Sequence, residues 1–201
     1  MERVTAFVLA GGKSSRMGQD KAFLEFQGPT LLENALELGR GVADELRIVG
    51  DPAKFSKFGT VVEDIYSDRG PLGGIHAALN SSEADLNLII AVDLPLLQTR
   101  FLEFLIASAV QSGAIVTVPR VGRHFEPLCA VYRKEFLLSA EQALVAGRNK
   151  IDAVFTGLPV HVVDELELAE RGFWPGMFRN VNTPEDWKAA QEEFAQRQHV
   201  S

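Results

Sequence analysis

Cysteine is almost missing from this sequence. The one present, Cys129, excludes an intramolecular disulfide and fits a reducing compartment. Its neighbours Leu128, Ala130 and Val131 are apolar, so it reads as a packing residue rather than a nucleophile. No run approaches the roughly 18 uninterrupted apolar residues of a membrane helix, and no internal repeat or low-complexity tract is present. The opening Met-Glu-Arg leads straight into an apolar strand, with no basic leader or cleavage site. A cytoplasmic protein with no membrane partner is therefore expected. Positive charge is also scarce. Twenty Lys and Arg against 27 Asp and Glu leave a net charge of −7, which argues against a nucleic-acid partner, since that needs a basic face. An anionic small molecule stays open, because a few local cations in a cleft can reverse the field there. No His/Cys cluster has zinc-ligand spacing, and no Gly-x-Ser-x-Gly elbow supports a nucleophilic triad. His76 and His161 read as packing or surface residues.

What is present suits one domain: 201 residues, 46% apolar and 23% charged, enough for a sizeable core. Short β-type runs alternate with amphipathic helical stretches. Residues 4–9 and 86–92 are nearly continuous apolar runs, as expected of strands covered on both faces. Further strands are expected at 45–49, 60–62, 114–118 and 129–132. Helices are expected at 31–41, 71–79, 101–110, 136–146 and 183–196, the last announced by Thr183-Pro184-Glu185-Asp186. Such alternation predicts an α/β fold: a single doubly wound, mostly parallel sheet with helices on both faces. Ligands of such sheets sit outside the carboxyl ends of the strands.

The first strand ends in one such place. Phe7-Val8-Leu9-Ala10-Gly11-Gly12-Lys13 runs on through Arg16 and Gly18 to Asp20-Lys21. Glycines without Cβ atoms let backbone N–H groups approach a polyphosphate, and Lys13, Arg16 and Lys21 supply charge. This is not a Walker A loop, because Phe7 stands where the glycine six positions before Lys13 would be. It is not a dinucleotide fingerprint either, because Gly11 and Gly12 are adjacent and the next glycine is Gly18.

Three further segments carry candidate chemistry. Asp93 follows the apolar run 88–92 and precedes Leu94-Pro95. An acid there is costly without a metal, cation or hydrogen bonds; it could also cap the next helix. Beside a phosphate loop it is the first choice as a Mg²⁺ ligand, since magnesium takes few carboxylates and completes its shell with phosphate and water. Asp68-Arg69-Gly70-Pro71-Leu72-Gly73-Gly74 could set a helix N-terminus against an anion or base edge, or be a plain turn. Asn180-Val181-Asn182-Thr183-Pro184 precedes the last helix, with Asn182 either beside its cap or facing the site.

The gapless signature L-A-G-G-x-S-x-R-M-G-x-D-K, from Leu9 to Lys21, resembles the nucleotidyltransferases that attach a nucleotide to molybdopterin. Gly-Pro-Leu-Gly-Gly and N-x-N-T-P-E-D extend the resemblance from Val4 to about Trp187. It is closer to the guanylyl than to the cytidylyl members, which more often read L-A-A-G. The resemblance implies a Rossmann-like nucleotidyltransferase fold, with a nucleotide-binding half at about 1–95 and an acceptor half at about 96–190. The implied reaction passes GMP from GTP to the terminal phosphate of molybdopterin or its molybdenum-bearing form and releases pyrophosphate. Leu9, Ala10, Gly11 and Gly12 would hold the nucleotide, Lys13 and Arg16 its β- and γ-phosphates, and Lys21 the α-phosphate. Asp93 would hold Mg²⁺; Lys21, Arg16 and Asp93 form the catalytic set. Asp64 would be in a nucleotide-binding position, the loop from Gly70 through Pro71, Leu72 and Gly73 to Gly74 would lie beside the base, and Asn180 and Asn182 near the metal or acceptor. Gly50 would also bind the nucleotide, standing where some relatives have a nucleotide-touching asparagine, so that side-chain contact is absent or replaced by backbone; Glu126 stands where a histidine is common. Residues 123–128 and 147–150 fall on the acceptor side, and passing contact with molybdenum-insertion proteins or molybdoenzymes is implied. A cytidylyltransferase, a sugar-phosphate nucleotidyltransferase and a non-catalytic cofactor carrier are the alternatives; keeping both Lys21 and Asp93 favours an enzyme.

Overall fold

The computed structural model describes residues 2–11, 20–66 and 68–198. Its framework is a mixed sheet. β1 (Val4–Leu9) is flanked by β2 (Glu45–Val49) and β4 (Leu86–Ala91), and β3 (Val61–Val62) lies outside β2, all parallel. β7 (Cys129–Arg133) runs antiparallel between β4 and β5 (Val116–Val121). β8 (Val160–Val163) lies parallel to β5. The order among the described strands is β3-β2-β1-β4-β7-β5-β6, with β8 also on β5.

The reversal at β7 has a local cause. Val121 and His124 pair across Gly122-Arg123, so β5 turns back at once into β6 (His124–Phe125). Gly122 has φ 57°, a conformation a two-residue hairpin needs and glycine takes without steric cost. The chain then re-enters the sheet as β7.

The continuous apolar runs are explained by side chains that alternate between two cores. Ala6, Val8, Leu88 and Ile90 meet α1 (Leu31–Arg40), α4 (Thr99–Ser112) and the C-terminal segment. Phe7, Leu9 and Ile89 meet α3 (Pro71–Ser81) and α5 (Phe136–Val145). Helices therefore cover both faces, as the sequence pattern predicts. α1 starts on a capping box in which Thr30 and Glu33 each bond the other's backbone N–H. The short α2 (Pro52–Phe55), α6 (Ile151–Val154) and α7 (Glu165–Glu170), like β6 and β8, are not foreseen from the sequence. α8 (Pro184–Gln198) closes the chain. No helix among the described residues is long and apolar enough to cross a membrane.

Cys129 is fully buried, and burial pushes its thiol pKa well up, so it is a packing residue. His76 is likewise internal, edge-on to Tyr66, and burial lowers its pKa.

Candidate active site

The carboxyl ends of β1, β2 and β4 and the start of α3 border a cavity of about 740 Å³, within the size range of small-molecule sites. Leu9, Ala10, Gly11, Lys21, Asp64, Gly70, Pro71 and Asp93 line it, as do Asp51, Lys54, Phe55, Asp68, Gly74 and Leu128. Residues far apart in sequence but singled out by motif thus share one wall.

The densest polar contact is at Lys21. Its Nζ lies 2.5 Å from Asp93 Oδ2 and 3.2 Å from Asn182 Oδ1. Asp93 leaves the end of β4 only 8% exposed, and the ammonium offsets the cost of burying its carboxylate. It does not cap α4, whose N-cap is Gln98. Asn182 is brought in by its neighbour, because the Val181 N–H bonds the Asp93 carbonyl at 3.0 Å. The cap of α8 is made elsewhere: Asp186 Oδ2 accepts the N–H groups of Asn182 and Thr183, and Thr183 Oγ1 accepts that of Asp186. The Asn182 side chain is thereby left to face Lys21, which answers the alternative of a capping role. Asn180 is exposed and is not part of the cavity wall.

Lys21 itself opens a 3₁₀ turn, Lys21–Phe23. Asp20 Oδ1 accepts the Ala22 N–H at 3.2 Å, and Asp20 Oδ2 accepts from Lys54 Nζ at 2.8 Å. The ring of Phe23 lies against those of Phe55 and Phe58.

Several expectations are corrected. The N–H groups of Ala10 and Gly11 do not form an open cradle: both donate to the Val49 carbonyl, at 3.0 and 3.2 Å. The parallel ladder continues past the end of β1 and consumes them. Leu72 is fully buried among the core residues under the sheet rather than in the wall. Gly73 is a close-approach residue: a Cβ there would sit 3.0 Å from the Tyr66 carbonyl oxygen. Gly50 makes room for Phe55, whose ring atoms would lie 2.9 Å from an added Cβ. Gly70 is the loop residue that needs its freedom, with φ 64° ahead of Pro71 at the helix start. Gly12, Lys13 and Arg16 lie outside the described residues.

Asp64 is open to solvent along much of its surface, yet the cavity wall screens its carboxyl enough to raise its pKa. Across the sheet, Glu126 is half-buried. Desolvation, with the charge of Asp152 adding, pushes its pKa to about 7. Arg123, Arg148 and Lys150 are exposed and line no part of the cavity.

No group of three or more His, Cys, Asp or Glu that could hold a metal occurs among the described residues. What converges is a carboxylate and an amide oxygen on one cation, the Lys21 ammonium. Hard oxygen donors in small number suit a magnesium ion that keeps phosphate and water ligands.

The chain is similar to known proteins along nearly its whole length. The family model of the MobA-like NTP transferase domain matches residues 6–162. The "Probable molybdenum cofactor guanylyltransferase" of Clostridium perfringens is 30% identical, over 94% of this chain and 96% of that protein. The "Molybdenum cofactor guanylyltransferase" of Desulfosudis oleivorans is 34% identical, over 95% of this chain and 96% of its own. The solved structure of "Molybdopterin-guanine dinucleotide biosynthesis protein A" from Archaeoglobus fulgidus superposes with a TM-score of 0.83 at 27% identity, covering 96% of this chain and 99% of that one.

Proposed function

The chain belongs to the MobA-like NTP transferase family of nucleotidyltransferases, and we propose that it transfers GMP from GTP to the terminal phosphate of molybdopterin or its molybdenum-bearing form. The observation that carries this reading is the convergence of Asp93 and Asn182 on the Lys21 ammonium, with Lys21 and Asp93 lining the cavity. The relatives' names, molybdenum cofactor guanylyltransferase, support the cofactor as acceptor and a guanylyl group as what is transferred.

In this reaction an oxygen of the acceptor phosphate forms a bond to the α-phosphorus of GTP, the Pα–O–Pβ bond breaks, and pyrophosphate leaves with the electron pair. The acceptor is already an anion, so no general base is needed. The barrier comes from bringing two anions together and from charge growing on the phosphoryl oxygens. Lys21 supplies a positive charge beside that centre. Asp93, with Asn182 near it, would hold Mg²⁺, whose chemistry is charge neutralisation at phosphate oxygens. Gly70 and Pro71 present the start of α3 to the nucleotide, Asp64 lies on the same wall, and Lys13 and Arg16 serve the outer phosphates. We take the whole chain as one domain, nucleotide side at about 1–95 and acceptor side at about 96–190. The L-A-G-G and G-P-L-x-G motifs and the guanylyltransferase relatives support guanine over cytosine. Passing contact with molybdenum-insertion proteins or a receiving molybdoenzyme, in the cytoplasm, belongs to the same reading.

Pyrophosphate release from GTP, Mg²⁺ and molybdopterin tests the assignment of Asp93. Groups that act as charge develops affect turnover more than affinity. Asp93→Ala is expected to lower kcat by about 10²- to 10³-fold, with a much smaller change in KM for GTP. A folded Asp93→Ala protein with wild-type turnover would overturn the mechanism.

A further inference from the structure

We propose that Lys54 is a positioning residue for the transfer reaction: its ion pair with Asp20 clasps the turn that carries Lys21 and so holds the Lys21 ammonium at Asp93. The inference rests on the reading of Lys21 as the cation beside the reacting phosphate.

The turn at Lys21–Phe23 has three residues, and a 3₁₀ segment that short has little stability of its own. Its position must come from what it touches. Asp20 uses both carboxylate oxygens, one capping the turn at the Ala22 N–H and the other taking Lys54 Nζ. Lys54 lies on α2, which is tied to the sheet. Asp51 at the end of β2 caps α2 through the Ala53 N–H at 2.8 Å, and Phe55 is buried to 1% exposure in the core. Phe23 completes the clasp by lying on Phe55 and Phe58, at centroid distances of 5.8 and 5.9 Å. The cavity is bordered by both Lys21 and Lys54, yet Lys54 spends its ammonium on the chain rather than on the cavity.

The Lys54 side chain is 50% exposed. An ion pair so open to water adds little to folding, so its removal should leave the protein intact. What it sets is where Asp20, and the residue after it, can sit. Misplacement of a reacting group by about 1 Å can cost as much as ~10²-fold in rate.

Four variants decide the matter. Lys54→Met removes the cation, Lys54→Arg keeps it, and Asp20→Asn removes the charge while retaining a good cap. The double variant Asp20→Asn/Lys54→Met measures coupling. Lys21→Ala serves as the reference. Each is assayed for kcat and for KM with GTP, beside a thermal melt. Lys54→Met and Asp20→Asn should each lower kcat by roughly 5- to 10-fold, with KM and Tm nearly unchanged. The double variant should be no worse than either, and Lys54→Arg should restore most of the rate. If Lys54→Met raises KM at unchanged kcat while Asp20→Asn is silent, Lys54 touches the nucleotide directly and the clasp is wrong. Wild-type kinetics in both single variants also overturns it. If Lys21→Ala keeps full turnover, the reading of Lys21 itself falls; if Lys21→Ala alone is crippled, only the clasp does.

Discussion

At the scale of single residues, two shielded carboxyls, Asp93 buried and Glu126 half-buried, illustrate different solutions to the same cost. Asp93 keeps company with an ammonium. Glu126 does not: its surroundings favour the neutral acid, with a folded pKa of about 7 against an ordinary 4.5. The sign of the linkage follows. Below pH 4.5 the group is protonated in folded and unfolded chains alike and imposes no penalty. Between about pH 4.5 and 7 the unfolded chain releases this proton while the folded chain keeps it, so stability falls across that window and levels off above 7. Glu126→Gln should therefore match the wild type in urea unfolding at pH 4.5 and exceed it at pH 8, by on the order of 1–3 kcal/mol. A difference independent of pH would contradict this. Asp93 is legible in the sequence because an acid closing an apolar run demands a reason. Asp20 and Lys54 are not, since partners 34 residues apart leave no spacing signature. Nor can a sequence show that the amides of Ala10 and Gly11 are spent on Val49, because that depends on the neighbouring strand.

At the scale of elements, α2 and the turn after the glycine segment act as one unit around Phe55. Gly50 has no Cβ because the Phe55 ring occupies that space. An asparagine at this position would meet the same ring and need a different α2. Gly50→Ala should destabilise the fold by about 1–3 kcal/mol through overpacking and raise KM for GTP as Phe55 is pushed toward the cavity. Phe55→Leu added to it should restore part of both. Equal stability of Gly50→Ala and wild type would contradict this packing account. The long elements are legible because periodicity needs length: α1, α3, α4, α5 and α8 fall where the pattern puts them. The short ones are not. α2 and α6 have four residues each, and β8 has four that are mostly half-buried, too few to show a period.

At the scale of the whole molecule, the alternation of strands and helices does lead to a mostly parallel, doubly wound sheet. What it cannot convey is the antiparallel insertion of β7, which follows from one glycine turn at Gly122. In a chain of net charge −7, the fold brings Lys21 and Lys54 to the cavity at the carboxyl edge of the sheet, each paired with an aspartate. The most direct measurement of the proposed activity is a competition. Molybdopterin, Mg²⁺ and equal amounts of GTP and CTP are incubated with the protein, and the products are weighed by mass spectrometry. The expected result is the guanine dinucleotide of molybdopterin with one pyrophosphate per product. A cytosine dinucleotide as the main product, or molybdopterin returned unchanged by the folded protein, would contradict it.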